Sequence, residues 1–153
     1  MKKIVALLMA LLLLGGSGLA EAPATFAELT GLDQAQQRLD NGEHFVRAYY
    51  TGGEGWGINE FETTDPEEIL RLWNALGQIE MVGETDIFVT DWYPMIAFYY
   101  EDGTAFAVCF DGTNLDLGSA GMYTLKNDGA FWNETAGLLE KYRGEPVEIE
   151  DRD

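Results

Sequence analysis

The chain has 153 residues, with 27 Asp plus Glu against 9 Lys plus Arg for a formal net charge of −18, and 46% hydrophobic residues that include 8 Phe, 4 Trp and 7 Tyr. That apolar and aromatic content excludes a disordered acidic chain and is enough for one packed domain. Nothing clusters Lys and Arg as a phosphate-binding surface requires, so no nucleic-acid partner is expected.

Met1-Lys2-Lys3 followed by the apolar run Ile4 to Leu14 and the small residues Gly15 to Ala20 reads as a secretory signal peptide. The apolar run is 11 residues long, whereas a spanning helix needs about 20. Cleavage after Ala20 or after Ala22 fits the small-residue rule. A lipid anchor needs a cysteine directly after the cleavage point, and the single cysteine is Cys109. The reading is therefore a secreted or extracytoplasmic protein with no stable membrane anchor after cleavage. Removal of the signal takes away Lys2 and Lys3 and no acid, so the working chain is more acidic than its precursor. Cys109 has no partner for an intrachain disulfide and no neighbouring His or Lys to activate it, which predicts a buried, inert thiol.

After a tether from residue 21, Phe26, Leu29, Leu32, Ala35 and Leu39 recur at helical spacing, with Gly31 as a bend or interruption. His44 to Thr51 and Trp56 to Thr63 read as two strands of a hairpin around a glycine-rich turn. Asp65-Pro66-Glu67-Glu68 is a helix start: Asp65 caps, Pro66 takes the first helical position and the two glutamates face the positive helix end. Ile69, Leu72, Trp73 and Leu76 form its apolar stripe, and Gly77 its stop. Short strands follow over 79–84, 87–90, 95–101, 104–110, 114–117 and 122–126, punctuated by Asp102-Gly103 and Asp111-Gly112. Residues 130–143 close the domain as a helix with Phe131, Ala136 (or Thr135), Leu138, Leu139 and Tyr142 inward. The fold class predicted is α+β, an antiparallel sheet in a meander with helices packed against it. Its organisation is a signal peptide over 1–20, an N-terminal tether and helix over 21–43, a single α+β core over 44–146 and an acidic tail over 147–153.

A two-residue turn at Asp102-Gly103 would pair Tyr99 with Phe106 and Ala97 with Val108, and would set Ile96, Phe98 and Tyr100 opposite Ala105, Ala107 and Cys109. Both faces would then be apolar. That predicts a hairpin covered on both sides, or one whose second side binds something.

Chemistry-bearing constellations are sparse. The loop Gly52-Gly53-Glu54-Gly55-Trp56-Gly57 lacks the following helix and the Lys of a phosphate loop. The sole histidine, His44, has no Ser or Cys motif to complete a triad, so no catalytic residue is assigned. One His and one Cys do not make a zinc site. Asp111 to Asp116 offers alternating oxygen ligands but lacks the length and glutamate of an EF-hand loop. No metal or cofactor is expected. Carboxylate pairs such as Glu60 with Glu62, or Glu101 with Asp102, leave a carboxylate-dependent hydrolase acting on envelope polysaccharide as the alternative function. Trp56, Trp92 and Tyr93 fall in loops, where aromatics can stack on a sugar or anchor a protein, and are the candidate ligand-binding residues.

Thr64-Asp65-Pro66-Glu67-Glu68-Ile69, Ile96 to Thr104 with its Asp-Gly-Thr turn, and Gly121-Met122-Tyr123-Thr124-Leu125 resemble the layout of small exported or lipid-anchored bacterial α+β proteins of unassigned function. The resemblance spans about residues 44–143 and implies a fold and an extracytoplasmic location, with no activity to carry over. The function expected is a non-enzymatic binding or interaction module, with a protein or glycan partner at the cell envelope or outside the cell.

Overall fold

A computed structural model of the protein describes residues 24–52, 59–88 and 92–143. The signal peptide, Trp56 and the acidic tail lie outside the described residues.

The N-terminal helical pattern splits into α1 (Phe26–Thr30) and α2 (Leu32–Asp40). Thr25 and Glu28 cap α1 reciprocally, and Gly31 breaks the helix in a left-handed conformation at φ 78°. β1 (Phe45–Gly52) pairs with β2 (Asn59–Thr63), and α3 (Pro66–Leu76) follows, with Glu67 N–H donating to Asp65 Oδ1 at 2.8 Å. Then come β3 (Glu80–Glu84), β4 (Met95–Tyr100), β5 (Ala105–Asp111), β6 (Asn114–Asp116), β7 (Met122–Lys126) and α4 (Gly129–Tyr142). Residues 87 and 88 are irregular rather than part of a strand.

The strands form one seven-stranded antiparallel sheet in the order β2-β1-β4-β5-β6-β7-β3. The fold is α+β as the sequence predicts. β4 to β7 are a meander, whereas β3 joins the far edge beside β7, so α3 carries the chain from one edge of the sheet to the other.

The β4–β5 register corrects the sequence reading. Met95 faces Cys109, Ile96 faces Val108 and Phe98 faces Phe106. The turn has three residues, not two: Gly103 N–H donates to Tyr100 O at 3.0 Å and Tyr100 N–H to Thr104 O at 2.9 Å. Gly103 sits at φ 80°, closing the turn in the left-handed conformation typical of three-residue hairpins. One added residue flips every β5 side chain to the other face. Ile96, Phe98, Tyr100, Phe106, Val108 and Phe110 thus share the covered face, each no more than 8% exposed. Ala105, Ala107 and Cys109 lie on the opposite, open face.

Helices cover the large-residue face. Trp73 of α3 meets Phe98 and Phe106 edge-on at 5.3 and 5.4 Å between ring centroids, and its indole N–H donates to Gln36 Oε1 of α2 at 2.9 Å. From α4, Phe131 stacks on Phe110 at 5.6 Å. Each large side chain buried this way contributes about 1.5–3 kcal/mol, so this one-sided core is the main source of cohesion. Arg38 of α2 ties the N-terminal helices to the β4–β5 turn: it lies 3.6 Å over the Tyr100 ring, bonds Asp102 at 3.0 Å and pairs with Glu43.

Candidate functional site

The segment between β3 and β4 holds two of the three candidate binding residues, and they part company there. Trp92 is half-buried and packs on Trp132 of α4 at 5.3 Å. It also makes a side-chain hydrogen bond with Tyr50, whose phenol pKa is raised by burial and partly offset by that bond. Tyr93 points outward and is 56% exposed. Trp56 lies outside the described residues.

The same segment is anchored at intervals to the end of the sheet. Thr85 N–H donates to Met122 O at 2.9 Å, Asn114 Nδ2 to Ile87 O at 3.2 Å, Gly112 N–H to Trp92 O at 2.7 Å and Phe110 N–H to Pro94 O at 2.8 Å. Its described backbone is thus fastened on either side of residues 89–91, and apart from half-buried Trp92 and buried Pro94 it presents large side chains to solvent. Ile87, Phe88 and Tyr93 of the segment and Val82 of neighbouring β3 are 70%, 68%, 56% and 63% exposed, four of the six large hydrophobics exposed among the described residues. All four fall within residues 82–93, whereas Leu70 is exposed singly on α3, and exposed apolar side chains that gather mark candidate interaction sites. Ile87 and Phe88 were missed in the sequence because a β-branched and aromatic pair reads as strand. The available signal was the adjacent Asp86 and the want of alternation around them.

The open sheet face carries polar pairs. Arg47 lies 3.8 Å over the Tyr99 ring and bonds Glu62 at 3.1 Å, and Tyr49 O–H donates to Glu60 at 2.8 Å. Beside them, exposed Ala105, Ala107 and Cys109 form a floor of small residues. Cys109 is exposed rather than buried, a correction that follows from the register. Its thiol pKa is raised, by desolvation first and then by the Asp116 carboxylate, which works against thiolate formation and fits an unreactive group.

The carboxylate pairs are spoken for. Glu60 and Glu62 bond Tyr49 and Arg47, Glu101 lies 2.9 Å from His44 Nε2, and Asp102 bonds Arg38. Where a carboxyl pKa departs from its ordinary value among the described residues, at Glu28, Glu68, Glu80 and Asp102, it is lowered. A general acid in glycoside hydrolysis needs the opposite shift. No group of three or more His, Cys, Asp or Glu among the described residues is placed to hold a metal ion. Asp111, the last residue of β5, is buried rather than presented to solvent.

A second feature lies at the β3 edge. α1 and β3 flank a half-open cleft of about 620 Å³ whose walls include Phe26, Leu29, Met81, Val82 and Tyr123. The chain matches no protein-family model, no curated protein and no solved structure. No helix among the described residues is long and apolar enough to cross a membrane.

Proposed function

We propose that this chain is an exported, non-enzymatic interaction module of the small bacterial kind its sequence resembles, and that it meets a protein partner through β3 and the anchored residues that follow it. The observation that carries the reading is the pairing of a fastened backbone with exposed Val82, Ile87, Phe88 and Tyr93. Ordering a loop costs free energy on binding, and a loop already tied to the sheet avoids much of that cost. Two aliphatic side chains, Val82 and Ile87, stand with two aromatic ones, Phe88 and Tyr93, a mixed apolar set that suits a protein surface better than a glycan, whose recognition combines aromatic stacking with convergent polar groups. The signal-like residues 1–20 support export, and the lowered carboxyl pKa values support a non-catalytic role.

The test is site-specific photo-crosslinking in the producing cell. A crosslinking phenylalanine analogue placed at Phe88 or Tyr93 is expected to yield a discrete protein adduct, whereas the same group at Leu70, exposed on α3, is not. Equal adducts from all three positions, or none, would sink the reading. Release of reducing sugar from envelope polysaccharide by the purified chain would favour the carboxylate hydrolase instead.

A further inference from the structure

We propose that the cleft between α1 and β3 is a docking groove for an extended segment of a partner protein, bearing alternating apolar and basic side chains, which adds to the sheet as a new strand alongside β3. The inference rests on the interaction-module reading and adds the place, the binding mode and the chemistry of the partner.

Three observations carry it. First, β3 is the terminal strand, paired with β7 on one side, so among the described residues its other row of backbone N–H and C=O groups faces no strand. Exposed edges are normally blunted by charges, Pro, bulges or a covering element; β3, Glu-Met-Val-Gly-Glu, carries two glutamates and a bulge between Met81 and Gly83 but no Lys or Pro, and the bulge leaves Val82 turned out to solvent at 63% exposure. Second, the cleft is lined along the whole of β3, with an apolar wall from Phe26, Leu29, Met81 and Tyr123. A strand laid there would satisfy its backbone on β3 and bury every second side chain against α1, which is how strand addition divides affinity from specificity. Third, the charged residues lining the cleft are Glu80 and Glu84, with no Lys or Arg among the lining. Lys126 and Asn127 hold Glu80 at 2.8 and 2.9 Å, but no ion pair engages Glu84 among the described residues. A basic incoming segment supplies that missing charge. A second copy of this chain does not, because β3 against β3 would oppose glutamates in a chain of net charge −18.

The full chain is titrated with a decapeptide of alternating Val and Lys, followed by calorimetry and by amide hydrogen exchange. Binding is expected, weakening as salt rises, with slowed exchange at the amides of β3. The Glu-for-Lys peptide, and the Val-Lys peptide N-methylated at alternate amides, are expected not to bind. Glu84→Lys and Val82→Lys alter exposed side chains and spare the core, and each should weaken binding at least about tenfold. No binding, binding that survives backbone N-methylation, protection elsewhere than β3, or a concentration-dependent dimer without peptide would each overturn the proposal. If the peptide fails while the Phe88 crosslink persists, the groove is wrong and the interaction module stands; if both fail, both readings fall.

Discussion

Lys141 Nζ lies 2.6 Å from Glu68 Oε1, and on the other oxygen Thr63 O–H donates at 2.5 Å and Tyr142 O–H at 2.9 Å. One carboxylate of α3, only 4% exposed, therefore fastens α4 and the end of β2 to the same point. Burial pushes the Glu68 pKa up, but the bonds from Lys141, Thr63 and Tyr142 together push it further down, leaving it below the ordinary carboxyl value.

The sign of the pH effect follows. A carboxyl whose folded pKa is depressed stabilises the fold fully above its unfolded pKa of about 4.3, and the contribution disappears as pH falls through the folded value. Glu68→Gln should therefore cost about 1–3 kcal/mol near neutral pH, and the gap from wild type should close below about pH 4. Thermal melts of both chains from pH 7 to pH 3 check this. A gap independent of pH would mean that the glutamate acts through packing alone.

Gly52 and Tyr50 predict a coupled pair. A Cβ on Gly52 would stand 2.6 Å from the Tyr50 hydroxyl oxygen and 3.3 Å from Pro94 Cα. Gly52→Ala should thus destabilise by about 1–3 kcal/mol, the usual cost of overpacking. In a Tyr50→Phe background the nearest clashing atom is gone, so the same substitution should cost markedly less. A double-mutant cycle by urea denaturation reads the coupling, and strict additivity would show that the strain lies with the Tyr50 ring carbon at 3.1 Å or with Pro94 rather than with the hydroxyl.

Much of this architecture is legible in the sequence because local chemistry decides it. Asp65-Pro66 starts α3 where capping requires, and Gly31 breaks the N-terminal helix as its spacing suggests. The register of the β4–β5 hairpin is not legible in the same way. Asp102-Gly103 serves equally in a two-residue or a three-residue turn, and the choice is made by burial: the longer turn puts Phe106, Val108 and Phe110 under the helices with Ile96, Phe98 and Tyr100. That is a tertiary preference, invisible in a window of ten residues. The site divides likewise. Tyr93 is exposed, but Trp92 turns inward because Trp132, 40 residues later in the chain, offers a ring to pack against.

The hairpin register makes its own prediction at Gly103. Its φ of 80° favours glycine, and nothing lies within 4 Å of an added Cβ. Gly103→Ala should therefore cost about 1–2 kcal/mol from backbone conformation alone, and Gly103→Asn less, since Asn tolerates left-handed geometry. Comparing the two in chemical denaturation separates backbone strain from crowding, because crowding would make the larger Asn the worse substitution.

Thr135 offers the opposite opportunity. It is 2% exposed on the inner side of α4, where the sequence left Ala136 and Thr135 as alternatives, and Ala136 is exposed. Its hydroxyl oxygen has no hydrogen-bond partner among the described residues. A buried hydroxyl without a partner loses the bonds it made to water in the unfolded chain, a penalty of about 1–3 kcal/mol. Valine keeps the β-branched shape, has a similar helix propensity and replaces the hydroxyl by a methyl group. Thr135→Val should accordingly raise stability by about 1 kcal/mol, read as a higher denaturation midpoint at unchanged slope. Thr135→Ala removes the same hydroxyl but leaves a void, so it should gain less than Val or lose stability outright. If Val destabilised more than Ala, the hydroxyl would be making a bond that holds α4 in place, and the α4 packing described above would need revision at that point.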